Sequence, residues 1–426
     1  MPHRIVILGG GFAGLYTALN LRKLTRGDRS VQVTVVSRDN YFLMTPLLFE
    51  AGSGVLEPRH AVNPIRPMFG RTGPRFVEAE IVGVDLDRKV VHATLVHREP
   101  IEIEYDQLVL AMGGVTNTKI VPGSEHAMTF KTLADAIFLR NHVIERFEQA
   151  DVEKDEKRKR ALLTFVIVGA GLVGTELQGE LSEFAHAVLR NYPNIDARSL
   201  RFELIEAGKR IMPELDEDLA EYATSVYRKR GINVRVVTPV SKIEPGKVTL
   251  PDGEVIEAET IMLAAGVSPS PLMEKIAIEK DRRGKAVVDG TMRVKGRPEV
   301  WALGDCASIP DPEGKPYPPL AQHAMREGRV LASNLVAVKE GREPQPFVYK
   351  SLGTLAALGQ FKGVGRVLRF KLKGFPAWFV WRSYYLMQMP RWSRRLRIML
   401  DWTVALVFSY DVVELDLIHR ESSRRE

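Results

Sequence analysis

Two segments of this chain each place three glycines where a tight turn, a close backbone approach and a helix–strand contact need them. Gly9, Gly11 and Gly14 follow the apolar run Ile5-Val6-Ile7-Leu8, and Gly169, Gly171 and Gly174 follow Phe165-Val166-Ile167-Val168. Both are G-x-G-x-x-G at the end of a β-branched strand and at the opening of a helical stretch. In that setting the first glycine makes the turn and the second lets the main chain approach a pyrophosphate. The third packs helix on strand, and the helix N-terminus faces the phosphate charge. A single copy is weak; two copies, each with its strand, predict a chain that holds two dinucleotides at once.

The elements that must position these glycines repeat as well. The first unit reads as strand 4–8, helix 15–23 and strand 31–36, with short strands from 75 to 110 ending in a buried run at 108–111. Helical stretches follow at 133–150, and the charge run 151–160 is read as a solvated connection without chemistry. The second unit reads as strand 163–168, a helix through 184, strand 201–206 and a closing run 260–266. The chain then returns to a strand at 300 that ends in Gly304-Asp305. The fold class predicted is α/β: two Rossmann-like dinucleotide-binding domains plus a C-terminal membrane-associating α-helical segment. The domains expected are 1–118 and 276–345 for the first dinucleotide, 119–275 for the second, and 346–426 as a C-terminal region whose end, 418–426, is a frayed tail.

Composition narrows the chemistry. The 426 residues contain one cysteine, Cys306, which excludes a disulfide framework and a redox-active thiol pair; it is read as a buried small residue. No metal site is expected. The first strand begins almost at the initiator methionine, so a reducing cytoplasmic location is expected. The net charge is +7, yet from 344 to 400 there is no Asp or Glu. Lys350, Lys362, Arg366, Arg369, Lys371, Lys373, Arg382, Arg391, Arg394, Arg395 and Arg397 all lie in that stretch. The basicity belongs to one segment without acidic partners.

The chain resembles the two-dinucleotide flavoprotein oxidoreductases and, within them, the type II (non-proton-pumping) NADH:quinone oxidoreductases. The resemblance covers nearly the whole chain. It rests on the two fingerprints, on Tyr105-Asp106-Gln107-Leu108-Val109-Leu110-Ala111-Met112-Gly113, on Ala264-Ala265-Gly266 and on Leu303-Gly304-Asp305. The quinone-reducing branch is marked by Asn40-Tyr41-Phe42-Leu43-Met44-Thr45-Pro46-Leu47-Leu48, by Thr175-Glu176-Leu177-Gln178-Gly179-Glu180-Leu181 and by Pro318-Pro319-Leu320-Ala321-Gln322-His323-Ala324.

The resemblance implies FAD in the first fingerprint and NADH in the second. It assigns to FAD the residues Gly9, Gly11, Phe12, Ala13, Gly14, Ser37, Arg38, Thr45, Ala111, Gly113, Gly304, Asp305, Ala321 and Gln322. To NADH it assigns Gly169, Gly171, Leu172, Val173, Gly174, Glu206, Ala265 and Gly266. A carboxylate at the end of the second strand binds the adenosine ribose and repels a 2′-phosphate, so Glu206 favours NADH over NADPH. Ser37-Arg38 departs from that pattern and alone would suit a 2′-phosphate; Asp305 and the domain order point to FAD instead. Glu176 would face the nicotinamide and orient its amide, against the plainer reading of an exposed helix glutamate. A proline-led helix start at 318–322 would stabilise negative charge on the flavin edge. Gln322, Ala324 and Lys362 would line the quinone site, although Lys362 reads equally well as a solvated lysine, and His323 reads as a packing or surface residue.

The function expected is hydride transfer from NADH to FAD and two-electron transfer to a membrane quinone. The alternative is a soluble NADH-dependent flavoprotein reductase of a small electron-carrier protein. Disulfide and sulfide:quinone chemistry needs thiol pairs that this chain lacks. No run reaches the roughly 18 to 20 apolar residues that span a bilayer. On a helical projection Trp392, Leu396, Met399, Leu400, Trp402, Thr403, Leu406 and Val407 gather on one side, with Arg394, Arg397 and Asp401 opposite. That pattern suits a peripheral helix on an anionic lipid surface, at the cytoplasmic face of the inner (cell) membrane. Nucleic acid is not expected as a partner, and a homodimer stays open.

Overall fold

The computed structural model describes residues 2–95, 99–408 and 410–415; the tail expected at 418–426 falls outside them. The chain forms two units. The first comprises Met1–Leu43, Val62–Val115 and Val267–Lys350, the second Met44–Ala61, Thr116–Gly266 and Ser351–Glu426.

The first unit is built on β1 (His3–Leu8), β2 (Val31–Ser37), β3 (Arg75–Asp85), β4 (Val90–Leu95), β5 (Pro100–Glu104) and β6 (Gln107–Leu110). With Val300–Ala302 at its edge, the seven-stranded sheet runs Val300–Ala302, β6, β1, β2, β3, β4, β5. Its first four pairings are parallel and the last two antiparallel. Strands covered on both faces read as unbroken apolar runs, and Ile5 to Leu8 are at most 1 % exposed. Helix α1 (Phe12–Leu24) crosses from β1 to β2.

The second unit contains α2 (Leu48–Ser53) and α3 (Leu133–Val152), the latter started by a reciprocal capping box between Thr132 and Asp135. Its sheet is all parallel, in the order Ile232–Arg235, Arg201–Ile205, Thr164–Val168, Thr260–Leu263; in chain order these are β9, β8, β7 and β10. Helix α4 (Leu172–Leu189) follows β7, and α5 (Glu217–Lys229) precedes β9. The charge run expected to be a connection contains a helix, Glu156–Leu162. Asp155 caps it by accepting from the N–H groups of Lys157 and Arg158, so a side-chain cap gave order to a stretch with no apolar periodicity.

The returning segment adds β11 (Val300–Ala302) and α6 (Ala321–Lys339) to the first unit. The prolines expected to open α6 precede it, and its N-cap is Leu320. The segment expected to be helical after 346 begins with a three-stranded antiparallel sheet, β12 (Gly353–Ala357), β13 (Gly363–Val367) and β14 (Phe370–Gly374). Helices α7 (Phe375–Gln388) and α8 (Trp392–Val407) follow. Among the described residues, no helix is long and apolar enough to cross a membrane.

The basic segment is less free than its sequence indicates. Arg366 pairs with Asp216 at 3.4 Å, Lys371 with Asp218 at 2.5 Å and Lys373 with Asp218 at 3.4 Å, and Arg382 is buried against Glu50 at 2.7 Å. The acidic partners are remote in sequence, which is why composition within 344–400 missed them. The face of α8 is also rotated from the projection. Ile398 and Trp402 are buried, and Asp401 bonds inward to His60 Nδ1 at 2.5 Å. Trp392, Leu396, Leu400, Val404 and Val407 form the exposed stripe.

Candidate active site: two dinucleotide cradles and a buried carboxylate cluster

The two fingerprints fold alike. In the first unit Gly9 N–H donates to Val36 O at 2.8 Å and Ala111 N–H to Leu8 O at 2.9 Å. In the second, Gly169 N–H donates to Ile205 O and Ala264 N–H to Val168 O, both at 2.8 Å. Gly9 and Gly169 hold φ +113° and +100°. A Cβ on Gly14 would lie 2.0 Å from Gly9 O, and one on Gly174 would lie 1.9 Å from Gly169 O. By contrast, a Cβ on Gly11 would meet nothing within 4 Å, and one on Gly171 only the Glu214 carboxylate at 3.4 Å. The middle glycines thus open onto free space at the N-termini of α1 and α4, as a pyrophosphate requires, and the residues present fit a dinucleotide in each unit.

In the first unit Ser37 ends β2, with its hydroxyl 3.0 Å from a Cβ placed on Gly10, and Arg38 is exposed beside Asp39. Gly304 at φ +71° starts the turn that carries Asp305. Cys306 is fully buried, donates to Leu110 O and Leu303 O at 3.3 Å, and has its thiol pushed up to about 11 by burial. On α6 the Gln322 side chain accepts from Tyr349 OH at 3.2 Å. His323 is buried against the rings of Tyr317 and Tyr349, and burial lowers it to about 4. Phe12, Ala13, Ala111, Gly113, Ala321 and Ala324 also belong to this unit, whereas Thr45 belongs to the second.

In the second unit Glu206 follows β8. Its two oxygens accept the N–H groups of Ala170, inside the fingerprint, and of Gly208, each at 2.7 Å. Leu172 and Val173 open α4, and Ala265-Gly266 follows β10. Lys362 is exposed in the turn between β12 and β13. Glu176 is 8 % exposed, not an exposed helix glutamate. It accepts the Ala357 N–H at 3.0 Å, and burial pushes its carboxyl up to about 8 against that bond and the Trp381 side chain.

Glu176 has company that the sequence did not announce. Glu180, one turn on, accepts from Ser53 Oγ at 3.1 Å, and burial with the charges of Glu183 and Glu50 raises its carboxyl. Glu183 is also raised by burial, against the pull of Arg230 at 3.0 Å. Glu50 on α2 takes Arg382 on one oxygen and Trp402 Nε1, at 2.6 Å, on the other. The only local signal was Glu176, Glu180 and Glu183 at i, i+4 and i+7 among Leu177, Leu181 and Phe184.

Two fingerprint cradles, each following a strand paired in parallel with both neighbours of its own sheet, define a two-dinucleotide oxidoreductase. Residues 3–328 match the family model described as pyridine nucleotide-disulphide oxidoreductase. A probable NADH dehydrogenase of Dictyostelium discoideum is 32 % identical over 96 % of this chain and 90 % of its own length. A type II NADH:quinone oxidoreductase of Staphylococcus aureus is 30 % identical over 88 % and 92 %. A Plasmodium falciparum structure, NDH2 in complex with NADH, has the same fold, with TM-score 0.89 at 20 % identity over 97 % of this chain and 100 % of that one. The chain belongs to the pyridine nucleotide-disulphide oxidoreductase family, in its type II NADH:quinone oxidoreductase branch.

Proposed function

We propose that this chain oxidises NADH through bound FAD and reduces a membrane quinone, without pumping protons, as its family does. Bound FAD supplies the hydride acceptor for NADH and the two-electron donor for the quinone. The chain's own residues bind, orient and shield. Gly9, Gly11 and Gly14 with the N-terminus of α1 hold one pyrophosphate, and Gly169, Gly171 and Gly174 with α4 hold the other. Gly304-Asp305 presents a carboxylate to the ribityl hydroxyls, and Ser37 a hydroxyl to the ribose. Glu206, fixed by two backbone N–H groups, accepts from the adenosine ribose and repels a 2′-phosphate.

Glu176 orients the nicotinamide amide. Its buried carboxyl keeps a proton at neutral pH, so it can donate to the amide oxygen. Gln322 and Ala324 are assigned to the quinone side, with Lys362 as a further candidate there. The exposed stripe of α8, with Arg391, Arg394 and Arg397 on the same helix or at its start, rests on an anionic lipid surface as a peripheral anchor.

The observation that carries this reading is the matched pair of cradles, one of them closed by Glu206. The test is to purify the protein, record the flavin spectrum, and follow NADH and NADPH oxidation with and without a short-chain quinone. The reading requires flavin bleaching by NADH and quinone-dependent turnover. A flavin that stays oxidised with NADH sinks it, and fast bleaching without quinone turnover favours a protein acceptor.

A further inference from the structure

A buried carboxylate stands behind the Gly304-Asp305 turn of the first unit. Glu327, on α6, is 3 % exposed, and its Oε2 accepts the Gly304 N–H at 2.8 Å. The turn has little other freedom: Gly304 sits at φ +71°, and a Cβ there would come within 3.1 Å of Ala13 Cβ. The helix that carries Glu327 is equally constrained. At the next residue, Gly328, a Cβ would lie 2.8 Å from both Ala13 O and Thr17 N of α1. The carboxylate is therefore held from the helix side and bonded on the turn side. The charged groups facing it are Asp305 on the turn and Lys285, itself only 9 % exposed.

We propose that Glu327 is a positioning residue of the FAD cradle, which fixes the Gly304 N–H so that Asp305 meets the ribityl chain and which acts through its charge on the potential of the bound flavin. The inference rests on the reading of Gly304-Asp305 as a flavin contact. A buried acceptor on a backbone N–H sets the turn's geometry because leaving that N–H unbonded costs its full desolvation. Burial, with Asp305, pushes the Glu327 carboxyl up to about 7, against the Gly304 N–H and Lys285. Its charge therefore changes close to neutrality. A negative charge near a group that takes up electrons disfavours reduction, and a buried charge such as Glu327, 3 % exposed, is screened less than one in water. The flavin potential should then fall more steeply with rising pH around neutrality than it does in a protein lacking that charge.

Three variants of the full-length holoprotein test this, read by FAD dissociation on ultrafiltration and by flavin potential from dye equilibration at pH values from about 6 to 8. Glu327→Leu, with no acceptor, should release FAD on the order of tenfold more readily. Glu327→Gln keeps an acceptor and loses the charge; it should hold FAD within about twofold of the parent while the extra slope of potential against pH disappears. A Glu327→Gln curve that superposes on the parent's overturns the proposal. So does a Glu327→Leu protein with the parental FAD affinity, and if that variant does not fold, Glu327→Gln decides alone. Asp305→Ala with undiminished FAD affinity would instead refute the turn as a flavin contact, whatever residue 327 does.

Discussion

Arg382 and Glu50, 332 positions apart, close a buried ion pair in which Nε and Nη2 both reach Oε1, at 2.9 and 2.7 Å. The guanidinium lies between two tryptophans, 4.4 Å from the ring centre of Trp378 and 4.5 Å from that of Trp402. Trp402 also donates to the other Glu50 oxygen. One carboxylate thus ties α2, α7 and α8 together. Removing Arg382 strips the buried Glu50 of its ion-pair partner, a loss of about 3–5 kcal/mol, whereas removing both charges is far milder. Arg382→Met should lower the urea midpoint sharply, and Glu50→Gln with Arg382→Met should recover most of it. An Arg382→Met midpoint near the parent's would mean that the pair contributes little.

The Glu176 carboxyl stands at about 8 in the fold, against an ordinary 4.5. A group whose folded value is raised binds protons that the unfolded chain has released, so its contribution to stability falls as pH rises from 4.5 to 8 and then levels. Glu176→Gln carries no such charge. It should be more stable than the parent by a few kcal/mol, roughly, at pH 8.5 and no different near pH 4.5. Thermal melts across that range check it, and a difference that does not vary with pH counts against the shift.

The second and third glycines of the first cradle predict different failures. Gly14→Ala forces a Cβ into Gly9 O and should destabilise the protein even without cofactor. Gly11→Val places a Cβ that has no protein atom within 4 Å, so the apoprotein should melt normally while FAD binding drops by more than about tenfold. Calorimetry of apoprotein and fluorescence titration with FAD distinguish the two, and a destabilised Gly11→Val apoprotein would be a clear miss.

The Glu206 carboxylate is held by the N–H groups of Ala170 and Gly208, and the proposed ribose contact gives a test. Glu206→Gln keeps one acceptor, loses the repulsion of a 2′-phosphate, and should raise KM for NADH by roughly tenfold while narrowing the gap to NADPH. Steady-state kinetics with both nucleotides decide it. An unchanged NADH to NADPH ratio would relocate the specificity elsewhere.

On α8, Leu400→Asp with Val404→Asp places charge in the exposed stripe and leaves the Ile398 and Trp402 face untouched. Sedimentation with vesicles containing anionic lipid should fall by about tenfold at unchanged thermal stability. Undiminished sedimentation would remove α8 as the anchor.

What could be read from the chain was what is local. The fingerprints declare themselves within ten residues, because turn, approach and helix start are consecutive, and Glu206 is found by counting to the end of the next strand. The carboxylate cluster was hidden because Glu50, Arg382 and Trp402 meet only after folding, and each alone is an unremarked residue in its helix. Asp401 was misplaced for the same reason. A projection of α8 assigns charge to the outside, while His60 and the Glu57 N–H, more than 300 positions upstream, hold it within. Glu327 had no local signal at all, since its partner is a backbone N–H rather than a side chain.

Cys306, enclosed between Leu110 O and Leu303 O and the chain's single thiol, makes the protein a ready-made clock. With its thiolate suppressed and its sulfur shut from solvent, it resists oxidants and alkylating dyes while the first unit stays closed. The rate at which a dye reaches it reports how often that unit opens, with no engineered label and no second cysteine to confuse the signal.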